Sequence, residues 1–104
     1  MGEELPFDES ESATLNSLKS EVPPLFKVLM HNDHYTTMEF VVKALEQVFR
    51  KSQTEANRIM LNVHLKGKGL CGIYPFEIAE TKAEKVHSMA AEEGFPLRCS
   101  VEEA

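Results

Sequence analysis

Apolar and polar positions alternate along residues 26–31 and then switch to a longer period. Phe26, Val28 and Met30 interleave with Lys27, Leu29 and His31, the pattern of a strand with one face toward a core. Asn32-Asp33-His34 follows as a polar turn. Thr36 and Glu39 then have capping-box spacing, with Thr36 the expected N-cap and Glu39 reaching back. Apolar residues at 38, 41, 42, 45, 48 and 49 form one helix stripe. A second box, Ser52 to Glu55, opens a helix whose apolar side is Ala56, Ile59, Met60 and Val63, and Gly67 is suited to end it. Leu70 to Tyr74 is short, apolar and β-prone. Pro75 fits the first turn of a third helix, and Glu77 complements that helix's dipole, although Tyr74 is a poor cap. Gly94 closes the helix, and Pro96 to Val101 reads as a last strand before an acidic tip. The order β-α-α-β-α-β predicts an α+β domain: a small three-stranded antiparallel sheet packed against three helices.

Composition narrows the picture. A chain of 104 residues supports one compact domain, and 42% hydrophobic with 27% charged residues is ordinary for a globular fold. No apolar run approaches membrane-spanning length, and the start carries no secretory pattern, so a cytoplasmic protein without membrane contact is expected. The net charge of -6 argues against a nucleic-acid partner. Charge is uneven. Residues 1–22 carry Glu3, Glu4, Asp8, Glu9, Glu11 and Glu21 against a single base, Lys19. Of the chain's 17 acids and 11 bases, eleven and ten are left for residues 23–104, near neutrality. The first segment is also serine-rich and poor in large apolar groups, so a flexible acidic N-terminal extension over 1–22, punctuated by Pro23 and Pro24, is expected ahead of a folded domain over 23–104.

Candidate chemistry is sparse. Asn32, Asp33 and His34 sit at a strand-to-helix turn, where a rigid scaffold presents side chains to a ligand, although Asn and Asp also serve simply as turn formers. His64 lies at the edge of the second helix's stripe, as a ligand-facing group or as a boundary residue. Cys71 and Cys99 have neither zinc nor redox spacing and fall within apolar strands, so buried free thiols are expected rather than nucleophiles. His31, Asp33, His34 and His64 lack a metal-binding signature, so no metal is expected. Met30, Met38 and Met60 are core residues or the lining of an adaptable pocket. Composition and spacing end at a small α+β domain with one polar turn beside apolar side chains.

Taken together, these runs resemble a known family. Phe26 to Val41, Met60 to Gly72, Glu77 to Lys82 and Pro96 to Cys99 are similar, in that order, to the Clp protease adaptor family ClpS. The resemblance implies a non-enzymatic adaptor without cofactors. It would bind N-degrons, substrates that begin with Leu, Phe, Tyr or Trp, and deliver them to the ClpA unfoldase of the ClpAP protease. It implies that Asn32, Asp33 and His64 surround the substrate's α-ammonium, with His34 and Thr36 at the rim. Met30, Met38, Val41, Met60, Val63 and Leu97 would line the side-chain pocket, and Glu77 and Lys82 would contact the ClpA N-terminal domain. The expected partners are N-degron peptides and that domain, met by a monomer. Two departures stand out: His34 replaces an acid that many members carry, and Thr37 stands where proline is common. A domain resembling the C-terminal part of the ribosomal stalk protein, and a hydrolase using His64, are the competing readings.

Overall fold

The computed structural model describes residues 23–104. The extension expected over 1–22 lies outside them. The elements are β1 (Leu25–His31), α1 (Met38–Gln47), α2 (Gln53–Lys66), β2 (Lys68–Pro75), α3 (Phe76–Glu92) and β3 (Arg98–Glu103). The sheet has the order β2-β1-β3, antiparallel throughout, so the most apolar strand takes the centre. The expected fold class is the observed one.

Local chemistry explains the boundaries, and several differ from expectation. Thr37, not Thr36, is the N-cap of α1: its hydroxyl oxygen accepts the Phe40 N–H at 3.1 Å. The stripe predicted to run through Val48 and Phe49 outlasts the helix, because Arg50 takes a left-handed conformation at φ 58° and breaks the ladder while both apolar residues stay buried. Ser52 caps α2 as expected, accepting the Glu55 N–H, but the Glu55 carboxylate pairs with Arg58. Gly67 ends α2 at φ 90°. β2 starts two residues before the predicted Leu70, because Gly69 lets the strand lie directly on α2. A Cβ at Gly69 would come within 2.8 Å of the Val63 side chain. Pro75 caps α3 from outside rather than entering its first turn. β3 begins at Arg98 and absorbs the acidic tip, because Glu102 and Glu103 pair with Lys27 and Phe26.

The helices cover one face of the sheet. Val28 and Met30 of β1 are fully buried there with Leu45, Ala56, Cys71, Val86 and Ala90. A bulge between Val28 and Leu29 leaves Cys71 as the extra residue of β2. Leu29 does not follow the simple alternation: it is only 7% exposed although it lies outside the helix-side core. Its cross-strand partners Leu70 and Ser100 flank it on the outer face. His87 of α3 ties helix to sheet, its Nε2 accepting the Cys99 N–H at 2.9 Å. Cys71 and Cys99 are unpaired and buried. Among the described residues no helix is long and apolar enough to cross a membrane.

Candidate functional site

The end of β1 and the end of α2 meet. The Asn32 N–H donates to the Gly67 carbonyl at 2.9 Å, which holds the polar turn against the last turn of α2, where His64 projects. Asp33 then organises the approach to α1. Its Oδ1 accepts the N–H groups of Tyr35 and Thr36, each at 2.7 Å, and its Oδ2 accepts the Thr36 hydroxyl, also at 2.7 Å. Burial would raise this carboxyl, but the Thr36 and Tyr35 hydrogen bonds and the neighbouring His34 together hold it below its ordinary value.

This arrangement shapes a cavity of about 240 Å³. Its mouth is polar: Asn32, Asp33, His34, Thr36 and His64. Its interior is apolar: Val41 from α1, Met60 and Val63 from α2, all buried, with Met38 at the entrance 45% exposed. The α1–α2 pair supplies both walls because Thr37 starts α1 where Met38 and Val41, one turn apart, face Met60 and Val63. The cavity is smaller than the roughly 300–1,000 Å³ usual for small-molecule pockets. Nine of the residues singled out in the sequence thus line one cavity. Met30 and Leu97 do not reach its surface: both are buried in the core, at 0% and 4% exposure.

Glu77 and Lys82 lie elsewhere, on α3. Glu77 is exposed in the first turn, beside a surface cavity formed with Pro23, Phe76 and Ile78. Lys82 is partly buried, its ammonium donating to the Val48 carbonyl at 2.8 Å and sitting 5.2 Å from the Tyr74 ring centre. Five residues apart on a helix, the two side chains are turned by about 140° from one another.

Sequence reasoning missed a second cavity, of about 330 Å³, on the outer side of Met38 and Met60. Glu39, Val42, Gln53 and Asn57 complete it. The signal was present in two helical pairs, Met38–Val42 and Gln53–Asn57, each spaced i to i+4 on facing helices. Among the described residues no cluster of three or more His, Cys, Asp or Glu could hold a metal ion. His31 turns away from the cavity, its Nε2 lying 2.6 Å from the Ser100 hydroxyl oxygen.

A three-stranded sheet backed by three helices, with a polar-mouthed cleft between α1 and α2, defines a small α+β domain. The family model for ClpS, ATP-dependent Clp protease adaptor protein, matches residues 21–100. The chain is 59% identical over 95 residues to the ATP-dependent Clp protease adapter protein ClpS of Desulfatibacillum aliphaticivorans, covering 91% of each. It is 60% identical over 82 residues to that of Nitratidesulfovibrio vulgaris strain DP4, covering 79% of each. The structure of Agrobacterium tumefaciens ClpS2 bound to L-phenylalaninamide superposes with a TM-score of 0.77 at 38% identity, covering 80% of this chain and all of that one. The chain belongs to the ClpS family of Clp protease adaptors.

Proposed function

We propose that this adaptor grips proteins by a bulky hydrophobic first residue (Leu, Phe, Tyr or Trp) and delivers them to a ClpA-type unfoldase for degradation by the ClpAP protease. It acts without a cofactor or chemistry of its own, as a cytoplasmic monomer. The observation that carries this reading is the cavity's division into an acceptor-rich mouth over an apolar floor. An α-ammonium has three donors and no acceptor. The Asn32 side-chain carbonyl, the Asp33 carboxylate and a neutral His64 imidazole supply acceptors at one mouth. An internal residue presents an amide instead and leaves them unpaired, which is costly. Val41, Met60 and Val63 then receive the side chain, and burying Leu or Phe there is worth on the order of 2 kcal/mol. Phenylalaninamide, the ligand of the Agrobacterium relative, combines a free α-amine with a benzyl side chain, the two groups that this division would receive.

Delivery engages the unfoldase's N-terminal domain through α3. Glu77 is offered directly, and Lys82 acts from the other side of the helix while anchored to Val48. The test is a pair of peptides differing only by N-acetylation. The free Leu- or Phe-initiated peptide binds and the acetylated one does not, and His64→Ala weakens the free peptide. Equal binding of both forms would end this reading.

A further inference from the structure

The helices back only one face of the sheet, and the other face has a chemical order of its own. Cross-strand partners share a face, so the outward residues of β1 sit in rows with their partners on β2 and β3. Lys27 lies between Ile73 and Glu102, and Leu29 between Leu70 and Ser100. Leu25, Leu70 and Ile73 are each about half-exposed, so the face is largely apolar from the start of β1 to its middle. The last row is cationic: Lys68 and Arg98 flank His31. Among the described residues neither of these bases forms an ion pair. Their charge is felt at His31, whose imidazole is held below its ordinary value by burial and then by Arg98 and Lys68, against an opposing pull from Glu102. In a chain of net charge -6, this face carries the bases Lys27, Lys68 and Arg98 against the single acid Glu102.

Residues 1–22, outside the described residues, join this face at its apolar end, where Pro23 and Pro24 lead directly into Leu25. Their sequence has the same order as the face. Counting back from Pro23, the apolar Val22, Leu18 and Leu15 come first, and the acids Glu11, Glu9 and Asp8 follow. From Leu25 to His31 the strand covers ~20 Å, at about 3.4 Å per residue. An extended chain crosses that distance in about six residues and a random coil in about thirteen. The apolar residues therefore fall within reach of Leu25 and Ile73, and the three acids within reach of the cationic row.

We propose that the outer face of the sheet is a docking surface for the chain's own residues 1–22, with Leu15, Leu18 and Val22 on its apolar part and Asp8, Glu9 and Glu11 on the row of Lys68, His31 and Arg98. The tether makes this contact intramolecular, so an interface too small to hold a free partner suffices. Its polar half is a set of surface ion pairs, and salt weakens it.

A nitroxide on Ser10→Cys reads the contact in the full chain, because both native cysteines are buried and the added thiol is the reactive one. The amide signals of Lys68, Leu70 and Ser100 are lost to broadening, while those of Gln53 and Asn57, on the helix side, keep their intensity. Asp8→Asn, Glu9→Gln and Glu11→Gln together restore the lost signals, and so does the pair Lys68→Glu and Arg98→Glu. Ionic strength of about 1 M, where the Debye length is about 3 Å, restores them in part. The broadening persists in Glu3→Gln with Glu4→Gln, which removes charge from the same segment outside the run that meets the row. Broadening spread evenly over the domain, or centred on the helices, overturns the proposal. Survival after neutralisation of Asp8, Glu9 and Glu11, or an equal response to Glu3→Gln with Glu4→Gln, overturns it as well. Equal broadening between spin-labelled chains and separate isotope-labelled chains lacking the nitroxide means that a second copy fills the face, and the intramolecular contact is wrong.

Discussion

Asp33 holds Thr36 through both carboxylate oxygens, Oδ1 on the backbone N–H and Oδ2 on the hydroxyl, each at 2.7 Å. The residue that frames the cavity mouth is therefore also the residue that builds the turn. Asp33→Asn supplies only one acceptor oxygen and should lose roughly 1–2 kcal/mol of stability. The loss depends on pH in a definite direction. Burial acts on the Asp33 carboxyl to raise it, but the Thr36 and Tyr35 hydrogen bonds outweigh burial and depress it. A depressed folded-state value means that the contribution is fully present above the unfolded value, about 3.9, and is lost as pH falls through the folded one. In urea denaturation the gap between wild type and Asp33→Asn should shrink below about pH 3.9. A gap that stays constant into strong acid would show that the ionised carboxylate is not what holds the turn.

That pair of hydrogen bonds also marks a limit of sequence pattern. The threonine pair offered two capping residues, and spacing to Glu39 favoured Thr36, but Asp33, three residues back, engages Thr36 and leaves the cap to Thr37. Strands, helices and their order were legible from period and caps, since those are local signals. The inner cavity was legible through family resemblance, because its polar groups come from two separated runs that composition alone cannot bring together. Met30 and Leu97 carry the apolar character of lining residues but lie within the core, a distinction that only packing makes. The outer cavity went unread although its helical pairs, Met38–Val42 and Gln53–Asn57, were in the sequence, because such pairs look like ordinary helix surface until α1 and α2 are seen to face one another.

The core thiols should be inert in the native chain. The neighbouring Cys99 thiol, with burial second, pushes the Cys71 thiol far above the ordinary thiol range. Cys71 is 0% exposed and Cys99 5%. Alkylation should therefore require unfolding and run at least about three orders of magnitude slower than in denaturant. Fast labelling of folded protein, followed by mass spectrometry, would contradict this packing.

Lys82 should prove to be a structural residue as well as any partner contact. Its ammonium satisfies the Val48 carbonyl past the end of α1 and lies over Tyr74. Lys82→Met should cost about 1–2 kcal/mol from the hydrogen bond and the ring contact together. For a domain of this size each kcal/mol is about 4–8 °C in Tm. Glu77→Gln, at an exposed site, should shift stability by no more than about 0.5–1 kcal/mol while weakening the unfoldase's N-terminal domain in a binding assay. An unchanged melting temperature for Lys82→Met would remove its structural role.

Met38 should act as the gate that sets which first residues enter. It is the first residue of α1, 45% exposed, and it stands between the two cavities while Val41 and Met60 behind it are buried. A side chain entering past it must be narrow near its own backbone. Leu, Phe, Tyr and Trp have a single heavy atom on Cβ and widen only further out, where the apolar interior would receive them. Ile and Val carry two heavy atoms on Cβ and are stiff about χ1, so they should meet Met38 at the neck with no rotamer to turn away. Methionine is flexible enough to close over a correct side chain, but the helix backbone beneath it is fixed. In the wild type, peptides beginning with Ile or Val should bind about 10- to 200-fold more weakly than the Leu peptide, the discrimination that an apolar pocket gives for small shape differences. Met38→Ala should raise the Ile and Val affinities toward that of Leu. The Leu and Phe peptides should themselves lose only about 1 kcal/mol, from lost contact with the methionine side chain. The measurement is anisotropy with a series of peptides differing only in their first residue. If Ile is still excluded after Met38→Ala, the barrier lies deeper, at Val41 or Val63, and Met38 is only part of the rim.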